Sequence, residues 1–500
     1  MRRSTLLPTA ALAVGALVLP AAPAAAVDRV PTQRLRDAVT VNGILGHARV
    51  LQRTADAEGG TRASGTPGYE ASARYVERTL LAAGYDVRLQ EFTFPFFQEL
   101  TPTSLAQTAP EAVDYDTLAF TYSGNGRVEA VAQAVDFTAT LPSTSGCETS
   151  DFAGFPDGAV AVLQRGTCTF AVKAANAEAA GAVAAVIVNA GVEDPEEVLN
   201  GTLGEPGTGI PVVGLSAAAG AQLVAAATAG EVRLAVNVET LLEDRTTWNV
   251  LADAPDGDRS RTVVVGAHLD SVLEGPGIND NGSGVATVLE IAEQVAQLGG
   301  RNRQHLRFAF WGAEESGLLG STHYVQSLSD TELQSIYANL NFDMLGSPNF
   351  VPFVYDGDLS DTAEESSPAP PGSAQIEDVF TGYLSSRGGS EPTAFSGRSD
   401  YGPFIAAGIP AGGLFSGAEG VKTEEQAELY GGQAGQAYDA CYHQACDTIA
   451  NVSTRSLAVL GDAAAHAVLT LARTRTGFYE DLSRAARSTP AQAPQADDAA

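Results

Sequence analysis

Apolar positions along this chain follow two different periods. Between residues 27 and 100 they recur at three- and four-residue spacing over 41–55 and again over 69–83, which predicts two helices, with Gly84 closing the second. Residues 85–94 then alternate apolar and polar, which predicts a strand. From Asn249 to about Ala472 short apolar runs take turns with longer amphipathic ones. The runs predict strands at 249–253, 262–266, 306–310, 338–342 and 412–415, and the amphipathic stretches predict helices at 284–298, 316–328 and 455–472. Single strands alternating with long helices imply an α/β fold whose mostly parallel or mixed central sheet is sandwiched by helices. In such sheets, sites lie beyond the carboxyl ends of the strands.

The texture changes from Val113 to Glu239. Short alternating runs rich in Ala, Gly and Val carry few charges and no histidine, and one helix is centred on 172–180. The expected organisation is therefore a discontinuous α/β domain, residues 27–112 and 245–475, interrupted by a β-rich module at 113–240. Residues 356–374 are acidic and proline-rich, as a surface loop would be, and 487–500 have the composition of a disordered tail.

Charge and cysteines narrow the setting. A formal net charge of -31 over 500 residues repels phosphates, which excludes nucleic acid and anionic membrane surfaces as partners. Arg2 and Arg3, an apolar run to Leu19, and Ala24 to Ala26 make residues 1–26 a cleavable signal peptide, so the product is expected to be exported, extracellular and free of membrane. An oxidising compartment favours disulfides, and the four cysteines fall into two local pairs, Cys147 with Cys168 and Cys441 with Cys446. A thiolate zinc site lacks a second pair at matching spacing.

The candidate chemistry sits at the ends of the predicted strands. His268 and Asp270 follow one, Glu314 and Glu315 another, and Asp343 a third, while Asp280 lies in a glycine-rich loop ahead of a helix. Borderline cations want several oxygens and an imidazole each, and one carboxylate can bridge two ions. A second histidine is then needed. His443 is the best candidate, because the sequence CYHQACD would hold it inside a five-residue disulfide loop; His47, His305, His323 and His466 have no acid at ligand-like spacing. Hydrolysis also needs a base, and on an irregular turn adjacent glutamates can divide the two roles. Neither G-x-S-x-G nor H-E-x-x-H occurs.

Taken together, GAHLDSV, GINDNGSG, WGAEESGLLGS, LNFDMLG, SGRSDYGPF and CYHQACD resemble the zinc aminopeptidases of peptidase family M28, notably the secreted leucine aminopeptidases of Streptomyces type. Residues 113–239 are similar to a protease-associated (PA) domain. The resemblance implies the zinc-dependent exopeptidase fold and two zinc ions: His268 and Asp343 on one, Glu315 and His443 on the other, Asp280 bridging. It further implies Glu314 as general base, Asp270 orienting His268, and Tyr442 donating to the oxyanion. Relatives have a cis peptide at the position matching Asp280–Asn281. Arg398 would help position the acids Glu314 and Asp343 that recognise the free amino terminus, and Met344, Phe415 and Tyr442 would line a pocket for large apolar residues such as leucine. Peptides and proteins with free amino ends are the implied substrates, acted on by a monomer; calcium has no support in the sequence.

Three other readings use the same scaffold. A carboxypeptidase or a glutaminyl cyclase would carry different substrate-end motifs. A catalytically dead binding protein would have lost ligands, and every ligand position here is filled.

Overall fold

The computed structural model describes residues 29–475 apart from 139–140, 193 and 364–365; the expected signal peptide and the expected disordered tail from 487 lie outside the described residues. The catalytic sheet has eight strands. From edge to edge they run Asp86–Glu99, Thr240–Asp253, Gln304–Trp311, Asp258–His268, Ile336–Phe342, Ala411–Phe415, Phe353–Tyr355 and Glu391–Thr393. The four middle strands from Gln304–Trp311 to Ala411–Phe415 are parallel, whereas Asp86–Glu99 and Thr240–Asp253 form an antiparallel ribbon along one edge. The sheet is thus mixed, as expected.

Its centre is apolar on both faces. Val263, Val264 and Val265 are each 0 % exposed, and fully burying such a side chain is worth about 1.5–3 kcal/mol. One face packs against Val41–Ala57, Pro67–Ala83, Gly282–Leu298 and Thr454–Arg473; the other packs Trp311, Tyr324, Leu333 and Phe404 beneath the helices Leu319–Ser327 and Tyr401–Ala406. Gly282–Leu298 is buried nearly all round, as suits a helix in the middle of a core. Pro67–Ala83 shows its end signals: Thr66 accepts from Tyr69 N, Pro67 opens the helix, and Gly84 closes it at φ 93°.

Two elements depart from the periodicity. The ribbon strands are longer than predicted, reaching Glu99 and starting at Thr240, because each pairs with the other beyond the part that meets the next strand, with Phe92, Phe94 and Phe96 buried at alternate positions. The helix expected from 316 begins at Leu319 instead. Ala313 and Leu318 have φ of 54° and 58° and Gly317 of 102°, so the chain makes a tight turn there before helix geometry is possible.

The second sheet also has eight strands, with Gly126–Ala134, Val160–Gln164, Ala184–Val188 and Val212–Leu215 at its parallel heart and helices Phe170–Ala179 and Ala217–Ala229 alongside. Ser104–Ala109 already belongs to it, pairing with Arg233–Val238, so the insertion starts ahead of the expected boundary at 113. Both expected disulfides are formed, Cys147–Cys168 within this module and Cys441–Cys446 in the catalytic domain.

Candidate active site

The parallel strands deliver their acids to one edge. His268 ends its strand, Asp343 follows Phe342, and Glu314 and Glu315 occupy the tight turn after Trp311. Asp280 comes from the loop that leads into helix Gly282–Leu298, and its peptide bond to Asn281 is cis. Asn281 fixes this junction. Its Oδ1 accepts from Gly284 N and Met344 N at 3.0 and 3.1 Å, and its Nδ2 donates to the Phe342 carbonyl at 2.9 Å. A Cβ at Gly284 would stand 2.2 Å from Asn281 Oδ1 and 2.3 Å from the Phe342 carbonyl, so only glycine permits the approach.

All five expected ligands converge. Asp280 divides its carboxylate: Oδ1 lies 3.2 Å from His268 Nε2 and Oδ2 lies 3.2 Å from His443 Nε2. His268 Nε2 is also 3.3 Å from Asp343 Oδ1, and His443 Nε2 is 3.1 Å from Glu315 Oε2. Glu314 Oε2 stands apart, 4.0 Å from His268 Nε2. Two overlapping groups result, His268 with Asp280 and Glu315, and His268 with Glu314 and Asp343. The donors suit two borderline cations: two imidazoles, three carboxylates, one of them shared, and a buried Glu315 Oε1 with no hydrogen-bond partner. Two dications would also neutralise a crowd of acids that His268, His443 and Arg62 only partly offset.

The electrostatics separate the acids. Burial alone would raise the Asp280 carboxyl, but its contacts with His268 and His443 hold it well below the usual range. Burial pushes Glu314 well above its usual range; His268 opposes this, while Asp400, Glu315 and Asp343 reinforce it by repulsion. The result is a carboxylate with a high proton affinity beside the ligands, as a general base requires. Burial, then the charges of Asp280 and Glu315, likewise holds the Tyr442 phenol well above its usual range, so it stays a donor. Its ring stacks on His443 at 3.8 Å between centroids.

Two expected roles are modified. Asp270 Oδ1 is 3.7 Å from His268 Nδ1, beyond hydrogen-bond range, and the carboxylate instead accepts the N–H groups of Glu314 and Glu315 at 3.2 and 3.4 Å. It therefore shapes the turn that carries Glu314 and Glu315 while also facing His268 Nδ1, a buried atom with no hydrogen-bond partner. Arg398 stands in the cavity wall, but its Nη1 pairs with Glu419 Oε1 at 2.7 Å; among the described residues it makes no ion pair with Glu314 or Asp343. Met344, Phe415 and Tyr442 do line the cavity with the ligands, beside Tyr355, Ala418 and Glu419.

Several supporting residues were not anticipated. The fully buried Arg62 guanidinium donates to the carbonyls of Leu269, Pro276 and Gly277, tying the segment after His268 to the loop before Asp280. Ser399 Oγ donates to Asp343 Oδ2 at 2.6 Å. Asp447 accepts from Asn279 N and Asp280 N at 2.8 and 2.9 Å. Asp400 is wholly buried behind the ligands, and burial, with repulsion from Asp343 and Asp270, lifts its carboxyl to about 8 against the pull of His268. Asp447 lies four residues after His443, within CYHQACD, the signal in the sequence that points to it.

Comparison with known proteins identifies the family. The model of peptidase family M28 matches residues 249–468, and that of the PA domain matches 129–223. An aminopeptidase of Pseudomonas aeruginosa is 48 % identical over 433 residues, covering 85 % of this chain and 79 % of its own length. Leucine aminopeptidase 2 of Trichophyton equinum is 39 % identical over 448 residues, covering 89 % and 86 %. Among solved structures, an aminopeptidase from Aneurinibacillus sp. strain AM-1 superposes with a TM-score of 0.72 at 27 % identity, over 90 % of this chain and 98 % of that one. BSAP, a zinc aminopeptidase from Bacillus subtilis, does so with a TM-score of 0.64 at 25 % identity, over 89 % and 99 %. The chain belongs to peptidase family M28, with a PA domain inserted in it.

Proposed function

We propose that this protein is an exported dizinc aminopeptidase that removes large apolar residues, leucine among them, from the free amino ends of peptides and proteins. The observation that carries the reading is the division of the Asp280 carboxylate between His268 and His443, 3.2 Å to each, with Glu314 alongside. His268, Asp343 and Asp280 would hold one zinc, and Glu315, His443 and Asp280 the other. Zinc, when bound, supplies the Lewis acidity that polarises the scissile carbonyl and acidifies water.

The chain's own groups do the rest. Glu314 takes a proton from the attacking water and returns it to the leaving amine, a role its raised proton affinity fits. Tyr442 keeps its phenolic proton and donates it as a hydrogen bond to the oxygen that gains charge. The acids Glu314 and Asp343 attract the substrate ammonium, while Met344 and Phe415 offer the side chain an apolar wall. Arg398, held by Glu419, gives that wall its rim.

The test is a peptide library with every amino-terminal residue represented, in free and N-acetylated forms, with and without a zinc chelator. Release of leucine and other large apolar residues from free termini, abolished by chelator, is the expected result. Equal cleavage of acetylated peptides, or indifference to the chelator, would overturn the reading.

A further inference from the structure

Outside the active site, one cluster has a similar make-up on a smaller scale. His47, on helix Val41–Ala57, points Nε2 at two carboxylates of helix Gly282–Leu298: Glu290 Oε2 at 3.4 Å and Glu293 Oε2 at 3.1 Å. In the active site, the ligand atoms facing the two histidines stand at 3.1–3.3 Å. The three side chains can bring one ligand atom each within 4.8 Å of the others, as the active-site groups do.

The other ring nitrogen of His47 is already engaged, with Nδ1 2.6 Å from the Tyr75 hydroxyl. With Nδ1–H donated to that oxygen, Nε2 turns a lone pair toward the carboxylates, the orientation of a metal-binding imidazole steadied by an outer partner. In that tautomer the lone pair faces two anions and calls for a cation between them. With a proton on Nε2 the ring instead donates to Glu290 and Glu293, whose contacts, against the effect of burial, raise its proton affinity. The helices are also cleared for this approach: a Cβ at Gly43 would stand 2.3 Å from Glu290 Oε1.

Charge favours the same occupant. His47 and Glu290 are only 7 % and 5 % exposed, and among the described residues no lysine or arginine pairs with Glu290 or Glu293. A histidinium would offset one of the two negative charges, whereas a dication on a neutral imidazole offsets both. Glu293, with its side chain 30 % exposed, leaves an edge from which water can complete the coordination.

We propose that His47, Glu290 and Glu293 bind a further divalent transition-metal ion of the zinc class, which staples helix Val41–Ala57 to the helix that begins two residues after Asp280. The ion takes no part in the reaction. It secures the middle of a helix whose first turn follows Asp280.

The full-length protein, stripped with chelator, re-equilibrated with excess zinc and desalted, is assayed for zinc by mass spectrometry beside E293Q and H47N. Wild type is expected to retain one zinc more than either variant, and zinc is expected to raise the melting temperature of wild type more than that of the variants. Hydrolysis of leucine p-nitroanilide should be unchanged in E293Q. Equal zinc content in all three proteins overturns the proposal and leaves a histidinium clamped by two glutamates. Variants that lose all their zinc together with activity overturn it too, since the helix pair would then support the active site without holding an ion. A wild type with two zincs beside an active E293Q with one supports this site while counting against the dizinc reading of the active site.

Discussion

Asp447 Oδ2 accepts the backbone N–H of Asp280 at 2.9 Å, across 167 residues of sequence. The residue that both histidines share is therefore held from the segment that also carries His443. Replacing Asp447 with alanine leaves the N–H groups of Asn279 and Asp280 without their acceptor, and should weaken zinc retention and lower kcat/KM by roughly 10–100-fold, as outer partners of metal ligands commonly do. Asparagine, which keeps one carbonyl oxygen, should lose less. Zinc titration of both variants would check this; an alanine variant with native zinc affinity would remove Asp447 from the account.

E314Q separates base from ligand. The amide keeps the shape of the turn and the N–H groups that Asp270 accepts, but cannot take a proton. Zinc content should be unchanged while kcat drops by about 10²–10⁴-fold or more. Normal turnover in this variant would exclude Glu314 as the base.

The loop that presents His443 is closed by Cys441–Cys446. A C441S/C446S double variant removes a short closure, worth about 2 kcal/mol in the chain-entropy picture. The specific expectation is local: His443, with φ 56° and a side chain 41 % exposed, should lose its position first. Metal retention measured against denaturant or chelator should then fall more steeply than global stability.

Far from the site, Asp253 receives Arg307 through both oxygens, Nε to Oδ1 at 2.7 Å and Nη2 to Oδ2 at 2.8 Å, and His305 Nε2 lies 3.0 Å away. Burial opposes ionisation of Asp253, but His305 and Arg307 hold its carboxyl well below the usual range. A carboxyl depressed in the folded state contributes stability above its unfolded pKa of 3.8 and loses it as pH falls through the lower folded value. D253N should cost about 3 kcal/mol at neutral pH, because it strands a largely buried guanidinium, and the cost should shrink in strong acid. Denaturant unfolding of both proteins from pH 7 to pH 2 would measure it.

Much of this site was legible because the chemistry sits where strands stop. His268, Glu314, Glu315 and Asp343 each follow an apolar run, and Asp280 precedes a helix that announces itself by period. What lay hidden depends on partners distant in sequence. Arg62 reads as part of a polar turn, yet its three carbonyl partners lie 207–215 residues away, and no local pattern marks an arginine for burial. His47 was set aside for want of a nearby acid; its acids are on a helix that starts at Gly282. Short elements such as Phe353–Tyr355 and Asp330–Ser335 span too few residues to display a period, although Ser329 and Glu332 form a capping box that could have marked the second. The contacts of Asp270 and Arg398 turn on distances of an ångström or so, which residue order does not encode.

The edge ribbon has a consequence for how the PA module is attached. Glu99 and Thr240 are the last pair of its ladder, so the chain leaves the catalytic body and returns to it side by side. To the eight-stranded sheet, everything between those two residues is the tip of a hairpin. The register that sets His268, Glu315 and Asp343 at their strand ends is closed without that tip, and the module reaches the active site by another route, the Tyr122 hydroxyl donating to the Ser316 carbonyl at 3.5 Å beside Glu315.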